Sequence, residues 1–213
     1  MSKYDLKSHF SGLYVITDPS LSSPATIVGD VTAALKGGTK IVQFRDKTSN
    51  FETQLTIAKV LKSLCDKYQA YLIINDNIEL TKQSQAHGIH IGKNDCDLGS
   101  VRQALGSEII IGVSCYNDLE LALEMQTLGA NYVAFGRFFP SLTKPDAPQA
   151  EIKTLIEAKK TLSIPIVGIG GINITNVSQL IVTGVDALAI IQGVFGQPNI
   201  EAAARQISQQ FKS

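Results

Sequence analysis

The chain has 213 residues, 44% of them hydrophobic and 18% charged, which is enough to bury a sizeable core in one α/β unit. Nineteen basic residues balance nineteen acidic ones, so no general field favours nucleic acid or an anionic membrane, and any anion site has to be local. The three cysteines, Cys65, Cys96 and Cys115, lack metal-type spacing and are odd in number, as expected for reduced thiols.

Short runs rich in Val, Ile and Leu recur along the whole chain. In order they are LYVIT (13–17), KIVQF (40–44), YLIIN (71–75), GIHIG (88–92), EIIIGVS (108–114), YVAFG (132–136), PIVGIG (165–170) and ALAII (187–191). Near-continuous apolarity predicts strands covered on both faces, as in a parallel sheet. Helical periodicity lies between them: Phe51, Leu55, Ala58, Leu61 and Leu64 share one face, and Ile200, Ala203, Ala204, Ile207 and Phe211 share another. The spacing of roughly 25 residues is that of one βα unit, and eight units favour a closed (β/α)8 TIM barrel spanning 1–213 as one domain. No signal-like segment and no run of spanning length is seen, so a cytoplasmic protein without membrane contact is expected.

Barrel chemistry gathers at the C-terminal ends of the strands. Three clusters stand there. In QFRDK (43–47), an inward Gln43 puts Arg45 and Lys47 on the same side at period two, and two cations aimed alike suit a diphosphate. The alternative is a solvated loop with Asp46 or Glu52 as partners. Asn75 and Asp76 end the third strand and Asp95 follows the fourth; two carboxylates there could share Mg²⁺, while capping of the next helices is the competing reading for Asp76, Asp95 and Asp97. In FPSLTKP (139–145), Ser141, Thr143 and Lys144 offer two hydroxyls and a cation, or simply a hydroxyl-rich turn between two prolines. The glycines of GIGGI (168–172) and the Gln192–Gly193 step suit a phosphate held by backbone amides. His90, mid-strand between two isoleucines, reads as a packed barrel histidine, and no nucleophile–histidine pairing is discernible.

Taken in order, LYVITD (13–18), VQFRDK (42–47), LIINDN (72–77), GIHIGKND (88–95), GVS (112–114), FPSLTKP (139–145) and IGGI (169–172) resemble the thiamine phosphate synthase family. The resemblance implies a Mg²⁺-dependent transferase that joins a hydroxymethylpyrimidine diphosphate to a thiazole phosphate, releasing pyrophosphate. It assigns Gln43, Phe44, Arg45, Asp46, Lys47, Asn75, Ser114 and Lys144 to the pyrimidine diphosphate. Ser141, Leu142, Thr143, Gly171, Ile191 and Gln192 fall to the thiazole phosphate, and Asp76 and Asp95 to the metal. Small molecules are the expected partners, without nucleic acid; a homo-oligomer is compatible. Tyr116, Lys93, Arg137 and Gln192 depart from the family pattern, and Gln192 removes a hydroxyl contact to phosphate while leaving its backbone N–H. A thiazole tautomerase of the same fold, or an inert sensor of a phosphorylated ligand, would explain fewer of these residues.

Overall fold

The computed structural model describes residues 10–92, 97–140 and 148–211. Eight strands close in sequence order into a parallel barrel: β1 Gly12–Ile16, β2 Ile41–Phe44, β3 Tyr71–Asn75, β4 Gly88–Ile91, β5 Ile110–Tyr116, β6 Tyr132–Phe135, β7 Ile166–Ile169 and β8 Ala187–Ile190. All eight expected strands are present, and β1 pairs with β8 through Gly12–Ala187 to Val15–Ile190. The helices among the described residues are α1 Ile27–Lys36, α2 Phe51–Lys67, α3 Ile78–Ser84, α4 Leu98–Leu105, α5 Leu119–Thr127, α6 Ile152–Thr161, α7 Val177–Ile181, α8 Gln192–Phe195 and α9 Ile200–Gln210.

Alternation along the strands builds two cores. Leu13 and Val15, Val42 and Phe44, Leu72 and Ile74, and Ile111, Val113 and Cys115 face the helices and pack with Val31, Ala58, Leu61 and Ile207. The intervening residues Tyr14 and Ile16, Ile41, Ile73, Ile110, Tyr132 and Val167 fill the bore. Phe10, fully buried two residues before β1, stacks against Tyr132 with ring centroids 4.4 Å apart and stoppers the bore.

Short polar side chains start many of the helices, as their sequence positions suggest. Asn50, Asn77, Asp97, Asp118 and Asn199 accept from the backbone N–H three residues on, satisfying a donor the helix leaves unpaired. For Asp97 this bears out the capping alternative, and the Ser100 hydroxyl and N–H hold its carboxyl below the usual carboxylate range. The cap of α3, however, is Asn77 and not Asp76. Among the described residues, no helix is long and apolar enough to cross a membrane.

Candidate active site

The strand ends and their loops surround a cavity of about 570 Å³. Its wall takes Gln43 and Arg45 from β2, Asn75 from β3, His90 from β4, Ser114 and Tyr116 from β5, and Gly170, Gly171, Ile191 and Gln192 from the last two strand ends. Seven residues expected at the site therefore line one space: Gln43, Arg45, Asn75, Ser114, Gly171, Ile191 and Gln192.

Arg45 is placed by its neighbour strand. Buried Thr17, just past β1, accepts from the Arg45 N–H at 2.9 Å and reaches the Arg45 carbonyl at 3.1 Å, so the first residue beyond β2 is held as if the sheet continued. The guanidinium then lies 3.9 Å from the Asp18 carboxylate, and Lys47 lies 3.8 Å from that of Asp76. Both separations exceed the roughly 2.7–2.9 Å of a close charge-assisted bond, so each cation is loosely held and can exchange its partner for an anion. The partners differ from the Asp46 and Glu52 considered above. Asp46 spends its carboxylate on the following turn: burial opposes its ionisation, but hydrogen bonds from Ser49 and Thr48 outweigh that and keep it below the ordinary range.

Other residues of the QFRDK run part company as well. Phe44 is 2% exposed and packs under the helices, so what it offers the mouth is backbone. Lys47 sits at the rim with 62% of its side chain exposed and is not part of the cavity wall. Asp76, at φ 62°, turns its carboxylate to accept from Asn75 Nδ2 at 2.5 Å. Asp95, Ser141, Leu142, Thr143 and Lys144, with Lys93 and Cys96, lie outside the described residues. Among the described residues no group of three or more His, Cys, Asp or Glu side chains is disposed to hold a metal.

The far side of the cavity is rich in glycine, with Gly170, Gly171 and Gly193 among its wall residues. Gly171 has φ 64°, and a Cβ there would sit 2.3 Å from the Pro140 carbonyl oxygen, so no larger residue fits without displacing the chain. Asn176 fastens this turn through its Nδ2 to the Gly171 carbonyl at 3.0 Å. Phe138 and Phe139 donate to the carbonyls of Ile169 and Gly170, which docks the segment after β6 along β7. The four-residue helix α8 begins at Gln192, directly after β8.

Several wall residues were not assigned to the site from sequence, although Tyr116, Arg137 and His90 were noted there. Tyr14 occupies the inward parity of β1, in register with Ile41 two residues before the inward Gln43, a pairing that the sequence does not fix. Tyr116 reaches the mouth because a register shift between Ser114 and Tyr116 inserts one residue into β5, a feature with no plain sequence signal. Arg137 also lines the cavity. His90 is buried inside the barrel as expected, yet it is part of the wall and hydrogen-bonds Ser114 at 2.8 Å, so packing alone does not describe it.

Comparison with known proteins places this cavity in context. The family model for thiamine monophosphate synthase matches residues 13–194, which reaches all eight strands. A thiamine-phosphate synthase of Nitrosococcus oceani is 43% identical over 208 residues, covering 98% of this chain and 96% of the relative. That of Marinobacter nauticus is 46% identical over 202 residues, covering 94% and 90%. The solved thiamine phosphate pyrophosphorylase of Pyrococcus furiosus superposes with a TM-score of 0.90 at 31% identity, over 98% of both chains. The chain belongs to the thiamine monophosphate synthase family.

Proposed function

We propose that this protein condenses an aminopyrimidine bearing a diphosphooxymethyl group with a thiazole phosphate, giving thiamine phosphate and pyrophosphate in thiamine biosynthesis. The observation that carries this reading is the pairing, at one cavity, of the Arg45 guanidinium at the β2 end, with Lys47 at the rim, and a glycine-rich wall at the β7 and β8 ends. The first suits a diphosphate and the second a single phosphate held by backbone amides.

The chemistry asks little of acid or base groups. Breaking the bond between the methylene carbon and the diphosphate oxygen sends an electron pair to the leaving group, and the electron-rich aminopyrimidine stabilises the cation left behind. The thiazole nitrogen then attacks that carbon and has no proton to lose. The protein has to align the two rings, exclude water and offset the charge of the departing pyrophosphate. Arg45, Lys47 and Lys144 take the last role. Gln43, Asn75 and Ser114 orient the pyrimidine, with the backbone of Phe44 and Asp46 beside them. Ser141, Leu142, Thr143, Gly171, Ile191 and Gln192 hold the thiazole phosphate.

A divalent cation fits this arrangement. The Asp76 carboxylate is a hard oxygen donor at the strand end, 29% exposed and beside the cations that would meet the same diphosphate. Mg²⁺ held by Asp76 and Asp95 would supply positive charge to the leaving group. The same reading carries a cytoplasmic location, small-molecule partners and no nucleic-acid partner. A tautomerase acting on one phosphorylated thiazole would leave Arg45, Lys47 and Asp76 without a role.

The test mixes purified protein with both substrates and Mg²⁺ and follows pyrophosphate and thiamine phosphate. Equal amounts of the two products are expected, with activity lost in excess chelator and nearly lost in Asp76→Ala. Isomerisation of the thiazole without pyrophosphate release would replace this function with the tautomerase, and full turnover in chelator would remove the metal.

A further inference from the structure

Five side chains from five different strands form one unbroken hydrogen-bond chain across the bore. Gln43 Nε2 donates to the Tyr14 hydroxyl at 2.6 Å, and the Tyr14 and Tyr132 hydroxyls are 3.0 Å apart. Tyr132 meets His90 Nδ1 at 2.9 Å, and His90 Nε2 meets Ser114 Oγ at 2.8 Å. Gln43, Tyr14, His90 and Ser114 line the cavity, whereas Tyr132 does not.

Proton counting gives this chain a direction. A phenol has one proton to give, and a neutral imidazole has one donor and one acceptor nitrogen. With Gln43 donating to Tyr14, the Tyr14 proton goes to Tyr132 and the Tyr132 proton to His90 Nδ1. His90 then carries its proton on Nε2 and gives it to Ser114. The Ser114 oxygen is already accepting, so its own proton is offered to the cavity. At the other end Gln43 keeps its carbonyl oxygen and a second amide hydrogen.

Tyr132, 0% exposed, has no route to water, and Tyr14 touches the cavity with only 1% of its surface; burial pushes both phenols well above their ordinary range. The Tyr132 ring occupies space left by Gly112 on the paired strand, where a Cβ would fall 1.9 Å from the ring carbon bearing the hydroxyl. The link is therefore packed in place.

We propose that this chain ties the donor sense of Ser114 to that of Gln43, which makes Tyr132 a positioning residue that selects an aminopyrimidine over its oxo counterpart. The identity of the ligand rests on the synthase reading; the direction of the chain does not. An aminopyrimidine presents an N–H donor, which the Gln43 carbonyl accepts, and ring nitrogens, to which Ser114 donates. The oxo compound presents a carbonyl and a ring N–H. Gln43 can offer its second amide hydrogen to the carbonyl, but the Ser114 proton meets the ring N–H, so the Ser114 end, and with it the chain, must reverse. Reversal means flipping the Gln43 amide, turning both phenol protons and moving the His90 proton from Nε2 to Nδ1, all together. Otherwise a buried group is left facing its own kind.

Two measurements decide the matter. The first is ¹⁵N NMR of histidine-labelled, ligand-free protein, with the His90 signals assigned through His90→Asn. A protonated Nε2 and a bare Nδ1 are expected; the opposite tautomer or an even mixture would overturn the proposed direction. The second is competition binding of the amino and oxo pyrimidine diphosphates, which keeps the chemical step out of the comparison. Tyr132→Phe removes one hydroxyl and should lower the amino-over-oxo preference by about tenfold or more while leaving thiazole phosphate affinity unchanged. An unchanged preference in a folded variant would overturn the coupling. Should Tyr132→Phe fail to fold, Tyr14→Phe breaks the same chain one link earlier and is read by the same ratio. A wild-type protein that makes no thiamine phosphate would overturn the synthase reading and the ligand half of this proposal, while the tautomer would still judge the chain.

Discussion

The β2–β3 corner of the mouth and the β7–β8 corner are built by different means. At the first, Arg45 and Lys47 stand 3.9 and 3.8 Å from Asp18 and Asp76, each cation kept near a carboxylate it can leave. At the second, the wall residues contributed by the β7 and β8 loops themselves are uncharged among the described residues, with Gly170, Gly171 and Gly193 leaving backbone bare beside Asn173, Thr175 and Gln192. The one cation there among the described residues, Arg137, comes from the β6 loop packed against Gly170. Charged side chains follow a diphosphate as it departs and can be re-paired afterwards. A backbone cradle is fixed by the fold and serves a phosphate that keeps its place. The difference suits a reaction in which one phosphate group leaves and the other stays.

The largest expected effect comes from the charged corner. Arg45→Ala should cost about 2–5 kcal/mol toward the pyrimidine diphosphate, roughly 30- to several-thousand-fold in kcat/KM, with thiazole phosphate KM little changed. Equal losses for both substrates would erase the distinction between the corners. Lys47→Ala should be milder, because its side chain is 62% exposed and its pairing is screened.

Next is the backbone corner. Gly171→Ala forces a left-handed residue and a contact with the Pro140 carbonyl, a strain of about 1–3 kcal/mol. A rise in thiazole phosphate KM and a lowered Tm are expected. If the rise fell on the pyrimidine substrate, the glycine wall would belong to the other ligand.

A third test separates stability from binding. His87 sits where β3 and β4 begin, at the end opposite the mouth, and its Nδ1 accepts the Leu72 N–H at 2.8 Å while Nε2 faces Asp66 at 3.0 Å. Burial, followed by the nearby Lys62, holds its pKa below the ordinary value of 6.5. The unfolded chain therefore takes up the proton first. The contribution of His87 is fully present above pH 6.5 and is lost as pH falls from there toward the lowered folded value. Denaturant unfolding across this window should show stability falling with acidity, and His87→Gln should flatten that slope without altering substrate affinity. An identical slope in the variant would place the pH response elsewhere.

The smallest effect is expected for Gln192→Ala. If the phosphate is met by backbone at the start of α8, loss of this side chain should change thiazole phosphate KM by less than about 0.5 kcal/mol, roughly twofold. A tenfold change would mean that the amide side chain itself holds the ligand.

How far the sequence could be read follows from the kind of interaction involved. The strands were legible because burial on both faces leaves unbroken apolar runs, and Gln43 and Arg45 were legible because alternation carries the inward side of β2 past its end. A motif of consecutive letters hides that same alternation. It groups Phe44 and Asp46 with Gln43 and Arg45, although Phe44 packs outward and Asp46 binds its own turn. The hydrogen bonds across the bore escaped the reading, although His90 was placed inside the barrel: Tyr14 and Tyr132 are 118 residues apart, and His90 and Tyr132 42, so only closure of the barrel brings them together. Tyr116 depends on one inserted residue in β5, and Thr17 acts on Arg45 across a strand pairing. Neither leaves a periodic trace.

The division of the mouth is tested most directly by initial-rate kinetics on Arg45→Ala and Gly171→Ala, each substrate varied in turn with the other saturating. A crossed pattern is predicted: Arg45→Ala raises KM for the pyrimidine diphosphate, Gly171→Ala raises it for the thiazole phosphate, and each leaves the other constant within about twofold. Both variants acting on the same substrate would contradict the two-cornered account.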